Sequence, residues 1–306
     1  MICRKPYVFI MTAVLASSAA YGITASDIVR KAQSASAHVS YRGTKEACIV
    51  TDGRPVCSVM HVTHMKPDKT RTQYSSPKLV AGVVVVQSGA NTWKRAPRAK
   101  EWEQLHYAAL APPAGMIDVA LANYNVRLIG SQKMAGRDAY VVMASPKRVG
   151  ESVMRLWIDK HSYLTLRTQE ENPPGRITSS SRFTSITLNP PNISPSLFAV
   201  KAKGGAASSA CKMGFRVIKP RYLPKGYKLV GQTMGEVSSC ACVHLQFSNG
   251  VNTLSLFERC CGCGVKAPKV PAKCAGVMTW VRRDMLFTLV GDLPRAELQK
   301  IADSTK

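Results

Sequence analysis

Val153-Met-Arg-Leu-Trp-Ile-Asp159 is followed by Lys160-His161 and then by Tyr163-Leu-Thr-Leu-Arg-Thr-Gln-Glu170. The turn Pro173-Pro174-Gly175 comes next, and then a long run, 176–188. Apolar and polar residues alternate, and β-branched and aromatic residues are frequent. Both features are the signature of a strand with two unlike faces. Met154, Leu156 and Ile158 fall on one face of the first run, and Val153, Arg155 and Trp157 on the other. Leu164 and Leu166 alternate with Thr165 and Arg167 in the next. Three consecutive strands with short turns specify an antiparallel meander.

The same period extends in both directions. Strands are expected near 38–50, 55–65, 69–75, 79–87 and 91–95 on the N-terminal side, and near 124–130 and 138–145 before the quoted stretch. Two helices interrupt the pattern. One spans Ser26 to Ser36 with Ser26 as its N-cap, and the other spans Pro112 to Asn123. So many sequential strands curl on themselves. The fold class is mostly β with α, a curled antiparallel sheet followed by a small α+β domain. That second domain has strands near 227–234, 241–247, 252–258 and 277–290, and a closing helix from Pro294 to Ser304. Between the two, Lys201 to Ala210 contains no large apolar residue and reads as a linker. The chain divides into a leader at 1–22, a first domain at 23–200, a linker at 201–212 and a Cys-rich domain at 213–306.

The leader is a secretory signal peptide. Arg4 and Lys5 precede an apolar run from Val8 to Ala20, and Ala20-Tyr21-Gly22 places small residues at a cleavage site. Export puts the cysteines where disulfides persist. Asp52-Gly53 favours a two-residue hairpin turn, and the register it sets places Cys48 opposite Cys57 in a non-hydrogen-bonded pair. A disulfide is expected there. Cys211, Cys240, Cys242, Cys260, Cys261, Cys263 and Cys274 form a second set, which suits disulfides or a thiolate metal site. Its spacing is not that of a zinc ribbon, so no metal or other cofactor is assigned.

The net charge of +24 draws the chain to polyanions. No nucleic-acid recognition motif accompanies that charge, so acidic lipid head groups or an acidic protein segment are the expected partners. Neither a nucleophile elbow, nor paired metal-binding histidines, nor a phosphate loop is present, and His61 and His64 fall on opposite faces of a strand. The chain reads as a binding protein rather than an enzyme.

Several stretches resemble the RseB/MucB family of sigma-E regulatory proteins. In the first domain these are Asn123-Tyr-Asn-Val-Arg-Leu-Ile-Gly130, Met134-Ala-Gly-Arg137, Pro146, Arg155-Leu-Trp-Ile-Asp159 and Phe183-Thr184-Ser185. In the second they are Leu223-Pro-Lys-Gly-Tyr227, Phe247-Ser-Asn-Gly250, Ser255-Leu-Phe257 and Val290-Gly-Asp-Leu-Pro294. The resemblance implies a first domain similar to the lipoprotein carriers LolA and LolB, an unclosed barrel with helices over its concave face. It also implies a periplasmic protein that binds a membrane anti-sigma factor and responds to lipid, lipoprotein or lipopolysaccharide. A LolA-type carrier of lipid or lipoprotein is the alternative. In either case Met154, Leu156, Ile158, Leu164 and Leu166 are expected to line an apolar interior. The cysteine set of 240–274 departs from the family pattern.

Overall fold

The computed structural model describes residues 22–51, 53–89, 91–105, 116–173, 175–200, 216–237, 240–260 and 276–306. Most of the proposed leader, the linker, and Cys211, Cys261, Cys263 and Cys274 lie outside the described residues. Among the described residues no helix is long and apolar enough to cross a membrane.

The chain enters through α1 (Ala25–His38). Its cap is Thr24, two residues before the expected Ser26. The Thr24 hydroxyl accepts from the Asp27 amide at 3.1 Å, and the Asp27 carboxylate takes the Thr24 hydroxyl at 2.6 Å and its amide at 3.3 Å. This reciprocal box satisfies helix-end donors that Ser26, already inside the helix, cannot reach.

Eleven strands then form a single antiparallel sheet. They are β1 (Tyr41–Thr51), β2 (Arg54–Met65), β3 (Lys69–Ser76), β4 (Val84–Ser88), β5 (Asn91–Arg95), β6 (Glu103–Gln104), β7 (Tyr124–Met134), β8 (Arg137–Pro146), β9 (Val153–Asp159), β10 (Thr165–Asn172) and β11 (Arg176–Leu188). The spatial order is β6-β5-β4-β3-β2-β1-β11-β10-β9-β8-β7, so β6 and β7 are unpaired with one another and the sheet is unclosed. The helix α2 (Met116–Asn123) precedes β7, and residues 112–115 of the expected helix lie outside the described residues. The expected strand at 79–87 begins only at Val84. A turn occupies 77–82, closed by the Ala81 amide on the Pro77 carbonyl at 3.0 Å.

The β1–β2 hairpin has the register that Asp52-Gly53 implies. Thr51 pairs with Arg54, Val50 with Pro55, and Cys48 with Cys57. The structure joins Cys48 and Cys57 in a disulfide. Closing a loop this short restricts the unfolded chain, and Cys48→Ser with Cys57→Ser is expected to lower stability by about 2–3 kcal/mol. Urea unfolding of the oxidised wild type beside the double variant measures the loss, and coincident curves would refute it.

The second sheet is five-stranded, in the order β12-β13-β14-β16-β15, with α3 (Arg295–Ser304) packed against it. Its strands are β12 (Lys228–Val237), β13 (Cys240–Ser248), β14 (Thr253–Cys260), β15 (Val277–Arg282) and β16 (Met285–Gly291). The single strand expected over 277–290 is therefore two. Arg283 and Asp284, at φ of 46° and 59°, turn the chain between them. Leu245, Leu254, Leu256, Phe287, Leu289, Leu298 and Ile301 fill the core between this sheet and the helix.

Candidate functional site

An apolar cavity of about 540 Å³ lies where the two sheets meet. Val29, Ala32 and Gln33 of α1 form one wall, and Met116, Ile117, Ala120 and Leu121 of α2 a second. The sheet contributes Tyr124, Val126, Ala144, Met154, Leu156 and Thr165. Gln246, Gly250, Val251 and Thr253, around the β13–β14 turn of the second sheet, complete it. The volume falls within the usual range of small-ligand pockets. Few polar groups face the cavity, so it offers dispersion and desolvation rather than a hydrogen-bonding code.

Met154 and Leu156 line this cavity, where strand alternation points them. Ile158, on the same face, is fully buried against Ile28 of α1 and Val142, and so anchors the helix instead of facing the space. Leu164 and Leu166 are elsewhere. They pack with Val141, Trp157 and Phe183 in a separate cluster, and Thr165 between them faces the cavity. The reason is the pairing of β10 with β9. Thr165 pairs with Ile158 and shares its face, so the flanking Leu164 and Leu166 point the other way, and the register shifts only beyond Thr165, where Arg167 pairs with Trp157.

The side chains that join the two sheets are polar; Asn123, Tyr124 and Asn249 come from stretches quoted above, and Arg148 and Glu151 do not. The Asn123 side-chain amide, at the end of α2, donates to the carbonyls of Gly226 at 3.2 Å and Asn249 at 3.0 Å. Arg148 donates to the Asn123 side-chain oxygen at 3.1 Å and to the Lys225 carbonyl, and it pairs with Glu151 at 3.4 Å. Asn249 donates to the Tyr124 hydroxyl and to Glu151, both at 3.3 Å, and its own oxygen accepts from the amides of Val251 and Asn252. Burial, then the Glu151 charge, pushes the Tyr124 phenol up, so it stays protonated. Gly226 and Gly250 have φ of 95° and 98°. A Cβ on Gly226 would meet the Arg148 guanidinium and Asn123, and one on Gly250 would run into the backbone of Ala120. Glycine is required at both for the β13–β14 turn and the 224–227 segment to approach α2 and Arg148 this closely. No local pattern marks this joint, because Asn123 meets Gly226 and Asn249 across more than a hundred positions.

In the second cysteine set, Cys240 opens β13 and Cys260 closes β14, and Cys242 is buried. Among the described residues the one grouping of potential metal ligands is Glu46, Cys48 and Cys57. Both its sulfurs are in the disulfide, so it does not offer thiolates.

Residues 82–202 match the MucB/RseB N-terminal domain family. The fold likeness extends beyond it. A crystal structure of MucB superposes with a TM-score of 0.65 at 18% identity, covering 92% of this chain and 96% of that one. MucB in the Pseudomonas aeruginosa MucA/MucB complex gives 0.63 at 20% identity, covering 91% and 96%. MucB in complex with MucA(peri) gives 0.57 at 19% identity, covering 92% and 97%. At these identities the likeness is one of fold. A LolA-superfamily protein from Nitrosomonas europaea aligns over 58% of this chain, but its TM-score of 0.30 carries no argument. No curated protein matches the sequence. The resemblance read from Asn123–Gly130 holds, and the matched residues include the companion stretches at 134–137, 155–159 and 183–185.

Proposed function

We propose that this chain is a periplasmic regulator of envelope-stress signalling. It binds the periplasmic segment of a membrane anti-sigma factor and senses an alkyl-bearing envelope component through the cavity between its domains. The family domain and the fold shared with MucB, including MucB in complex with MucA, support the first part. The single observation carrying the second is that an apolar cavity of about 540 Å³ takes walls from both domains. Export through residues 1–22 and a division at 201–212 belong to the same reading. Binding and release are its whole chemistry, and no catalytic step is assigned. A LolA-type carrier is the second reading. It is less favoured because a carrier needs the first domain alone, whereas here the β13–β14 turn supplies part of the cavity wall.

Leu156→Trp fills the cavity without adding charge. With the mature protein and a fluorescent fatty-acid probe, this variant is expected to lose affinity about tenfold or more while its unfolding curve stays close to wild type. Unchanged probe binding that salt abolishes would place the contact on the basic surface and refute the cavity reading. Capture from envelope extract separates the two functions. Recovery of a membrane anti-sigma factor supports the regulator, and recovery of lipoproteins alone supports the carrier.

A further inference from the structure

We propose that the adjoining tips of the β1–β2 and β10–β11 hairpins dock onto an anionic lipid bilayer, placing their apolar side chains in its headgroup layer. The β1–β2 ladder runs out to Thr51 and Arg54, whereas β11 stops pairing with β1 at Ile49 and β3 stops pairing with β2 at Val59. The tip therefore projects beyond its neighbours. Ile49 is 57% exposed, Val50 40% and Val56 50%, and Ile177, at the start of β11, is 46% exposed. Four large aliphatic side chains grouped at one end of the sheet contrast with the isolated apolar residues normal on a soluble surface.

Charge identifies the occupant. Arg54 and Arg176 are exposed at the same two tips. Asp52 is the one acidic residue in 47–57, and 172–177 has none. The acidic groups behind the tips are engaged. Glu46 pairs with Arg182 at 2.8 Å, Glu171 with Arg155 at 3.3 Å, and Glu170 accepts from the Ser179 hydroxyl at 3.0 Å. The chain's +24 charge adds long-range attraction to an acidic surface. Apolar insertion combined with basic contacts is the chemistry of interfacial binding. The Cys48–Cys57 disulfide sits at the base of the tip, so the Ile49–Val56 pair is already ordered before contact.

The test uses the mature protein, sedimented with vesicles of phosphatidylethanolamine and phosphatidylglycerol and, separately, of phosphatidylcholine. It does not depend on the anti-sigma reading. Wild type is expected to bind the anionic vesicles selectively and to release with rising salt. Arg54→Gln with Arg176→Gln should weaken partitioning about thirtyfold. Ile49→Asp with Val56→Asp should weaken it about tenfold or more while retaining the fatty-acid probe. A Val50→Trp variant should show a blue-shifted emission on these vesicles. Three results would overturn the proposal. They are wild-type binding by the Ile49/Val56 variant, loss of vesicle binding in Leu156→Trp, and retention only when the vesicles carry membrane protein.

Discussion

Asp159→Ala is expected to cost about 3–5 kcal/mol of stability, the scale for breaking a buried ion pair. Asp159 ends β9 and is fully buried. Its carboxylate accepts from Arg137 Nε at 2.7 Å and Nη2 at 3.1 Å. It also takes the amides of His161 and Ser162 at 3.2 and 2.7 Å, and the Ser162 hydroxyl at 2.8 Å. One side chain thus ties the start of β8 to the β9–β10 turn. Burial acts to raise its pKa, but the hydrogen bonds from Arg137 and Ser162 outweigh it and hold the carboxyl below the ordinary aspartate value. A depressed pKa contributes stability above the unfolded value, and that stability is lost as pH falls through the folded one. The gap between wild type and Asp159→Asn should therefore be full at neutral pH and narrow below about pH 4. Urea titrations across that range measure it. A gap of less than about 1 kcal/mol at pH 7 would show that the turn does not depend on this carboxylate.

Glu258 carries the opposite sign. It is fully buried in β14, paired across the sheet with Val243 and Phe287, and one of its oxygens has no partner among the described residues. The Ile218 amide donates to the other at 2.9 Å. Burial pushes its pKa up from 4.5 to about 7, with that amide offsetting only part. A raised carboxyl pKa gives stability that is full below the unfolded value and is lost as pH rises through the folded one. The difference corresponds to about 3 kcal/mol between pH 4.5 and 7. Relative to Glu258→Gln, which does not titrate, wild type should gain about that much on acidification through this window. Parallel pH profiles for the two proteins would remove the effect.

Local patterns made some of this legible and long-range geometry hid the rest. Asp52-Gly53 sets the hairpin register by itself, so the Cys48–Cys57 pairing could be read from sequence. Alternation is unbroken along β9, so Met154 and Leu156 could be placed on the cavity wall. Alternation also puts Leu164 and Leu166 on one face, but which face depends on the partner of Thr165, and its pairing with Ile158 is a cross-strand register that no local pattern shows. The β15–β16 turn escaped because Arg283-Asp284 is not among the pairs that favour positive φ. Asn123 and Asn249 meet only after both sheets have formed.

Because the β13–β14 turn is at once a wall of the cavity and half of the joint through Asn249 and Gly250, volume and posture are one variable. On the proposed reading, an occupant that crowds Val251 is expected to work against the hydrogen bonds of Asn249 as a wedge works against a hinge. Linkage makes the effect mutual, so whatever fixes the hinge retunes the wedge by an equal free energy.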